Sequence, residues 1–173
     1  MNAIPCSTQH SMVPRFHHSN ILWDDSERRL MKAVLPYQVA YADTDMMGVV
    51  YYAAYLVFFE RARTRLLEEL GYPYPRLEAE GFGLPVTETY VKYRVPATYG
   101  DTLSVYAWPE WVKPVRLKVG CEVRRDGRLL VSGYTVHACL NLKRKRPTQL
   151  PDEFRRQCLA FAEAEDDAEG AVP

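Results

Sequence analysis

A stretch of helical spacing, Ala53–Leu70, stands alone among segments that alternate like strands, and it constrains the fold more than any other feature of the chain. Tyr55, Phe58, Phe59, Ala62, Leu66 and Leu70 recur at the three- and four-residue intervals that line one helix face. Leu56 and Val57 add apolar surface on a second side, so the first half of the helix should be covered on most sides. The second half, with Arg61, Arg63, Arg65, Glu68 and Glu69, is amphipathic. Gly71 and Pro73 then supply a glycine just past the last turn and a proline stop.

Strand signals surround this helix. Val34–Ala42 is β-prone and is bounded by the turn chemistry of Asp43-Thr44-Asp45. After a short segment at Arg76–Glu80 come Leu84–Tyr93, and Thr102–Trp111 following the turn at Tyr99-Gly100-Asp101. Val115–Arg124 and Leu129–Leu142 flank Asp126-Gly127, the strongest short hairpin signal. Pro151–Phe161 reads as a final short helix with proline at an early position. The order β–α–β–β–β–β implies an α+β fold, an antiparallel curved sheet wrapped around one long helix.

The length, 173 residues, fits one domain with tails. Residues 1–30 hold no sustained period and read as a poorly ordered arm, which carries His10, His17 and His18. Met31 is the expected natural start, which would make the arm an extension. The domain is expected over residues 31–161, and 162–173 as an acidic flexible tail. Twenty-two Lys and Arg balance 22 Asp and Glu, so the charge surplus of a general nucleic-acid binder is lacking. The longest apolar run, Tyr51–Phe59, is far short of the ~20 residues of a membrane span. Cys6, Cys121, Cys139 and Cys158 form no CxxC pair and follow no signal peptide. They read as reduced thiols of a cytoplasmic protein rather than as a disulfide frame or a metal site.

Chemistry concentrates in Tyr41–Tyr55, which runs from a strand end through an acidic loop with a glycine into the helix. The first turn of a helix presents unpaired N–H groups and the positive end of its dipole, which stabilise an oxyanion placed against them. Asp43 or Asp45 could set a carboxylate beside the same carbonyl. Such a pair is a minimal acyl-transfer site with neither metal nor serine. Aspartates ahead of a helix also serve as caps and turn formers, and residue type alone leaves both readings open.

The pattern D-T-D-x-x-G-V-V-Y-x-x-x-Y-x-x-x-F-E-x-A-R across 43–63 resembles the 4-hydroxybenzoyl-CoA thioesterase family of hot-dog-fold acyl-CoA thioesterases. Tyr93-Arg94-Val95-Pro96-Ala97-Thr98-Tyr99-Gly100-Asp101-Thr102-Leu103 matches that family's link between strands, and the similarity extends over residues 32–155. The resemblance implies hydrolysis of an acyl-CoA to free acid and CoA, with Asp45 as nucleophile or general base. It gives the backbone N–H of Tyr52 as the oxyanion donor and leaves Asp43 to hold the loop. Many relatives carry histidine where this chain has Tyr52, so imidazole assistance is absent. Gly48, Val49, Tyr51, Tyr55 and Glu60 fall on the substrate side, and Lys113 and Arg116 on the side of the CoA phosphates. Tyr90, Tyr93, Phe58 and Phe59 are further aromatic candidates for an acyl pocket. No metal and no cofactor are implied, CoA being part of the substrate. Self-association as a dimer or tetramer, with sites at the subunit boundary, is implied as well.

Two alternatives accompany this reading. One is a non-catalytic acyl-thioester-binding protein. The other is a hot-dog hydratase or dehydratase, which needs a histidine near the helix; neither 43–52 nor the helix has one. His137 falls in a strand and reads as a sheet-face residue, and Lys143–Arg146 as an exposed strand end. The acyl group stays open.

Overall fold

The computed structural model describes residues 33–169, with side chains to residue 161. The expectations for the arm, for Cys6 and for a start at Met31 lie outside the described residues. The strands are β1 (Ala33–Gln38), β2 (Phe82–Gly83), β3 (Val86–Tyr93), β4 (Thr102–Lys113), β5 (Arg116–Arg125), β6 (Arg128–Ala138), β7 (Leu140–Asn141) and β8 (Arg146–Pro147). The helices are α1 (Ala54–Glu69), α2 (Tyr74–Ala79) and α3 (Asp152–Glu169). Five strands form one antiparallel sheet in the order β1-β4-β5-β6-β3, and β2, β7 and β8 form a small second one. Register shifts at Val86/Glu88, Pro109/Trp111 and Val123/Arg124 bend the large sheet.

Alternation decides which face of the sheet meets the helix. Leu103, Val105 and Ala107 of β4 and Leu117, Val119, Cys121 and Val123 of β5 are fully buried. They share one core with Phe58, Phe59, Ala62, Leu66 and Leu67 of α1. Burying each of these side chains is worth about 1.5–3 kcal/mol, which outweighs the weak intrinsic helix preference of the aromatic residues. The hairpin between β5 and β6 turns on Asp126 and Gly127, both at positive φ, as the Asp-Gly signal requires. Gly133 on β6 is needed for another reason. A Cβ there would strike the Tyr90 carbonyl oxygen and reach 2.9 Å from the Phe59 ring, so only glycine lets β3 approach.

Several expectations change. The first half of α1 is not covered on most sides: Leu56 is 37% and Val57 48% exposed. The buried side is that of Tyr55, Phe58 and Phe59, which joins the core. β1 stops at Gln38, and Tyr41–Asp43 coils into a 3-10 turn. The Asp43 carboxylate accepts the Ala40 N–H at 2.8 Å and the Tyr37 hydroxyl at 2.6 Å, local bonds that compete with the ladder. The long final strand breaks at Cys139 into β6 and β7, and α3 runs on past Phe161 to Glu169. Cys121, Cys139 and Cys158 are buried free thiols. Burial pushes them up to about 12, 11 and 12 respectively.

Candidate active site

The loop ahead of α1 is a tight hairpin. Thr44 bridges Val50, the Asp45 N–H donates to the Val49 carbonyl at 2.9 Å, and the Gly48 N–H returns to the Asp45 carbonyl at 2.9 Å. Gly48 sits at φ +75°, a conformation that a side chain would strain. The hairpin is pinned from outside: Val49 bridges Thr98, and the Val50 N–H donates to Ala97 at 2.8 Å. Asp101 holds the 98–101 turn by accepting the Thr98 N–H at 2.8 Å and pairing with Arg125. Burial pushes the Asp101 carboxyl up, but those two partners outweigh it and hold the group below its ordinary range. Residues far apart in sequence therefore fix where Asp45 stands.

Asp45 is half-buried, and its Oδ1 accepts the Met47 N–H at 2.8 Å. Oδ2 has no partner among the described residues and is open to a ligand. α1 begins after Ala53, which offers no side-chain cap, and the Ala54 and Leu56 N–H groups donate instead to the Tyr51 and Ala53 carbonyls at 2.9 and 3.1 Å. Tyr51 donates its N–H to Asp43 at 2.8 Å, whereas the Tyr52 N–H meets no acceptor among the described residues. The Tyr52 carbonyl takes the Tyr93 hydroxyl at 3.0 Å, which ties the end of β3 to the helix start. Tyr55 is buried, accepts the Ala97 N–H at 3.2 Å, and is held above its ordinary value by burial, so it stays a neutral phenol.

These groups border a cavity of about 250 Å3. Its lining contains Asp45, Val49, Tyr52 and Tyr55 from the expected set, together with Tyr93. Gly48 and Tyr51 flank the cavity in sequence without lining it, and Phe58 and Phe59 belong to the core. Glu60 is exposed on α1, outside the lining. Lys113 and Arg116 face each other at the far end of the β4–β5 hairpin. β4 starts near the cavity at Thr102 and is 12 residues long. At roughly 3.4 Å per residue the two cations stand about 40 Å along the strand. One chain does not bring them to Asp45. Sequence reasoning missed Met47, Val50, Arg94, Val95 and Pro96 as lining residues. The signal was in hand, since Tyr93–Pro96 opens the second motif, but it marked a strand link and not a wall. His137 is fully buried between the Leu84 carbonyl (2.9 Å) and the Thr135 hydroxyl (2.8 Å), away from the cavity lining.

A bent antiparallel sheet laid on one long helix, with an acidic loop feeding the helix start, is a hot-dog fold. The chain belongs to the thioesterase-like superfamily, whose sequence profile matches residues 39–158. It is 33% identical over 128 residues to a putative acyl-CoA thioesterase, YneP, of Bacillus subtilis, covering 73% of this chain and 93% of that protein. It is 34% identical over 121 residues to the acyl-CoA thioesterase YbgC of Haemophilus influenzae, covering 69% and 89%. The crystal structure of the hypothetical protein TT1821 from Thermus thermophilus superposes with a TM-score of 0.72 at 35% identity, over 75% of this chain and 98% of that one.

Proposed function

We propose that this protein is an acyl-CoA thioesterase that hydrolyses its substrate to free acid and CoA, with Asp45 and the Tyr52 N–H as the reacting constellation. One observation carries the reading: an unpartnered carboxylate oxygen and an unpartnered main-chain donor meet at one cavity at the start of α1. The thioester carbonyl oxygen takes the Tyr52 N–H, whose partial positive charge grows in value as the oxygen becomes anionic. Asp45 Oδ2 then either attacks the carbonyl carbon or draws a proton from an attacking water. The C–S bond breaks and the CoA sulfur leaves with the electron pair, to be protonated from solvent; on the route of direct attack, water then cleaves the acyl–Asp45 anhydride to release the free acid and restore the carboxylate. Val49 and Tyr55 shape the acyl side of the site, and Gly48 and Tyr51 act only through the loop that carries them.

The narrower likeness to 4-hydroxybenzoyl-CoA thioesterases rests on the D-T-D-x-x-G motif. A hydratase is disfavoured, because the one histidine beyond residues 1–30 is locked in the core.

Two copies joined along β3 complete the reading. β3 is an edge strand exposed on both faces, with Val86, Tyr90 and Tyr93 about half exposed. If Lys113 and Arg116 hold CoA phosphates, they have to come from a second copy, and Glu60 serves the same boundary. Released thiol is the assay. Asp45→Asn should lose about 10³-fold in turnover with its melting temperature kept; near-normal turnover would end the proposal. A covalent acyl-enzyme seen by mass spectrometry in a slowed variant separates the two routes. Sedimentation should give a multiple of 20.0 kDa, and a fully active monomer would remove the second copy from the site.

A further inference from the structure

Asp45 and Arg94 are the charged residues in the cavity lining among the described residues, and the remainder is apolar or aromatic, as with Val49, Val50, Tyr55 and Val95. Arg94 directly follows β3, and its backbone N–H is fixed to the Leu130 carbonyl at 2.9 Å. Arg65, Arg76, Arg124 and Arg125 each engage a carboxylate, whereas exposed Arg116 and Arg128 engage none among the described residues, and what sets Arg94 apart is its place in the cavity lining. The Arg94 guanidinium engages none among the described residues, nor does it pair with Asp45 across the cavity. Arg94 is an exposed cation at the border of this space, unpaired with the Asp45 carboxylate that lines it too, and so is free to meet a ligand anion.

We propose that Arg94 is a specificity-determining residue that selects a thioester whose acyl chain ends in a carboxylate, an inference that rests on the thioesterase reading above. The planar guanidinium fork takes a carboxylate with two parallel hydrogen bonds. The phosphates of CoA are an unsuitable partner. The pantetheine arm carries them farther from the sulfur than a space of about 250 Å3 reaches, and Arg94 shares that space with Asp45. Asp45 repels a second carboxylate, so the acyl chain has to hold its two ends apart. A space of about 250 Å3 admits a short acyl chain with a terminal carboxylate, such as glutaryl.

The test compares glutaryl-CoA with pentanoyl-CoA, the same chain ending in methyl, and repeats both acyl groups on N-acetylcysteamine. The wild-type protein should favour glutaryl in kcat/KM by about tenfold or more, on both thiols. Arg94→Gln should lower that ratio by about tenfold, and Arg94→Lys should keep part of it. Hydrolysis of pentanoyl-CoA without a glutaryl preference, or with a preference that Arg94→Gln leaves unchanged, overturns the selection and leaves the thioesterase intact. An equal loss on both acyl groups that vanishes on N-acetylcysteamine assigns Arg94 to the CoA portion and also overturns it. Failure to hydrolyse these esters and a wide further panel removes the thioesterase reading and this inference together.

Discussion

Two polar clusters beside α1 sit in opposite conditions. Between the helix and the sheet lie Arg63, Cys121, Thr135 and His137, all buried. At the helix start lie Asp45, Tyr52, Tyr93 and Arg94, half-buried or exposed. The inner set carries a histidine and a thiol, the usual emblems of catalysis, yet burial silences both. Desolvation first, and the Arg63 guanidinium second, hold the His137 imidazole down to about 4 against the pull of the Leu84 carbonyl. Arg63 itself is 8% exposed, with its Nε unpaired and its affinity for the proton lowered by burial. The outer set has no such emblem, but its groups keep unfilled valences that face a cavity. Reactivity follows access and unsatisfied hydrogen bonds, not residue type.

Breaking the inner region should cost the most. Phe59→Ala removes a fully buried ring from the core and should lower unfolding free energy by about 3–5 kcal/mol in denaturant titration. Acid should reveal His137 next. Its folded-state value of about 4 lies below the ordinary 6.5, so the unfolded chain binds the proton first. Its share of stability is therefore whole above pH 6.5 and drains away as pH falls toward 4, by about 3 kcal/mol in all. His137→Asn should flatten that slope, and a pH-independent wild type would refute the assignment. Arg63→Met sharpens the same contrast. Removing a buried cation without an ion-pair partner should leave stability level or raise it by about 1 kcal/mol. It should also lift His137 toward its ordinary value, read by histidine proton NMR. At the mouth, Tyr52→Ala should change stability by less than about 0.5 kcal/mol, because the ring is 61% exposed. Smallest of all, a thiol reagent mapped by peptide should leave Cys121, Cys139 and Cys158 unlabelled in the folded protein.

Much of the inner region was legible in sequence, for a physical reason. Helical spacing located α1 within a residue at each end, and Asp126-Gly127 located a hairpin, because both signals are local. The acidic loop was legible too, as a motif. The far wall of the cavity was not. Val95 and Pro96 reach Asp45 only because Val49 bridges Thr98 and Val50 bonds Ala97, contacts made across nearly half a hundred positions. Alternation was equally blind to edges. Val86–Tyr93 alternates much as Arg116–Arg125 does, yet β5 lies between two strands and β3 has one neighbour. The same blindness misjudged Leu56 and Val57, whose apolar character was read as cover by this chain's own sheet.

The hydroxyl of Tyr93 grips the carbonyl immediately after the main-chain donor of the site. That grip makes the last rung of the outermost strand a tether on the helix mouth. On the mechanism proposed above, any molecule that zips onto this border, or slides it by a rung, would tug the Tyr52 amide. Assembly and turnover would then be geared to one phenol.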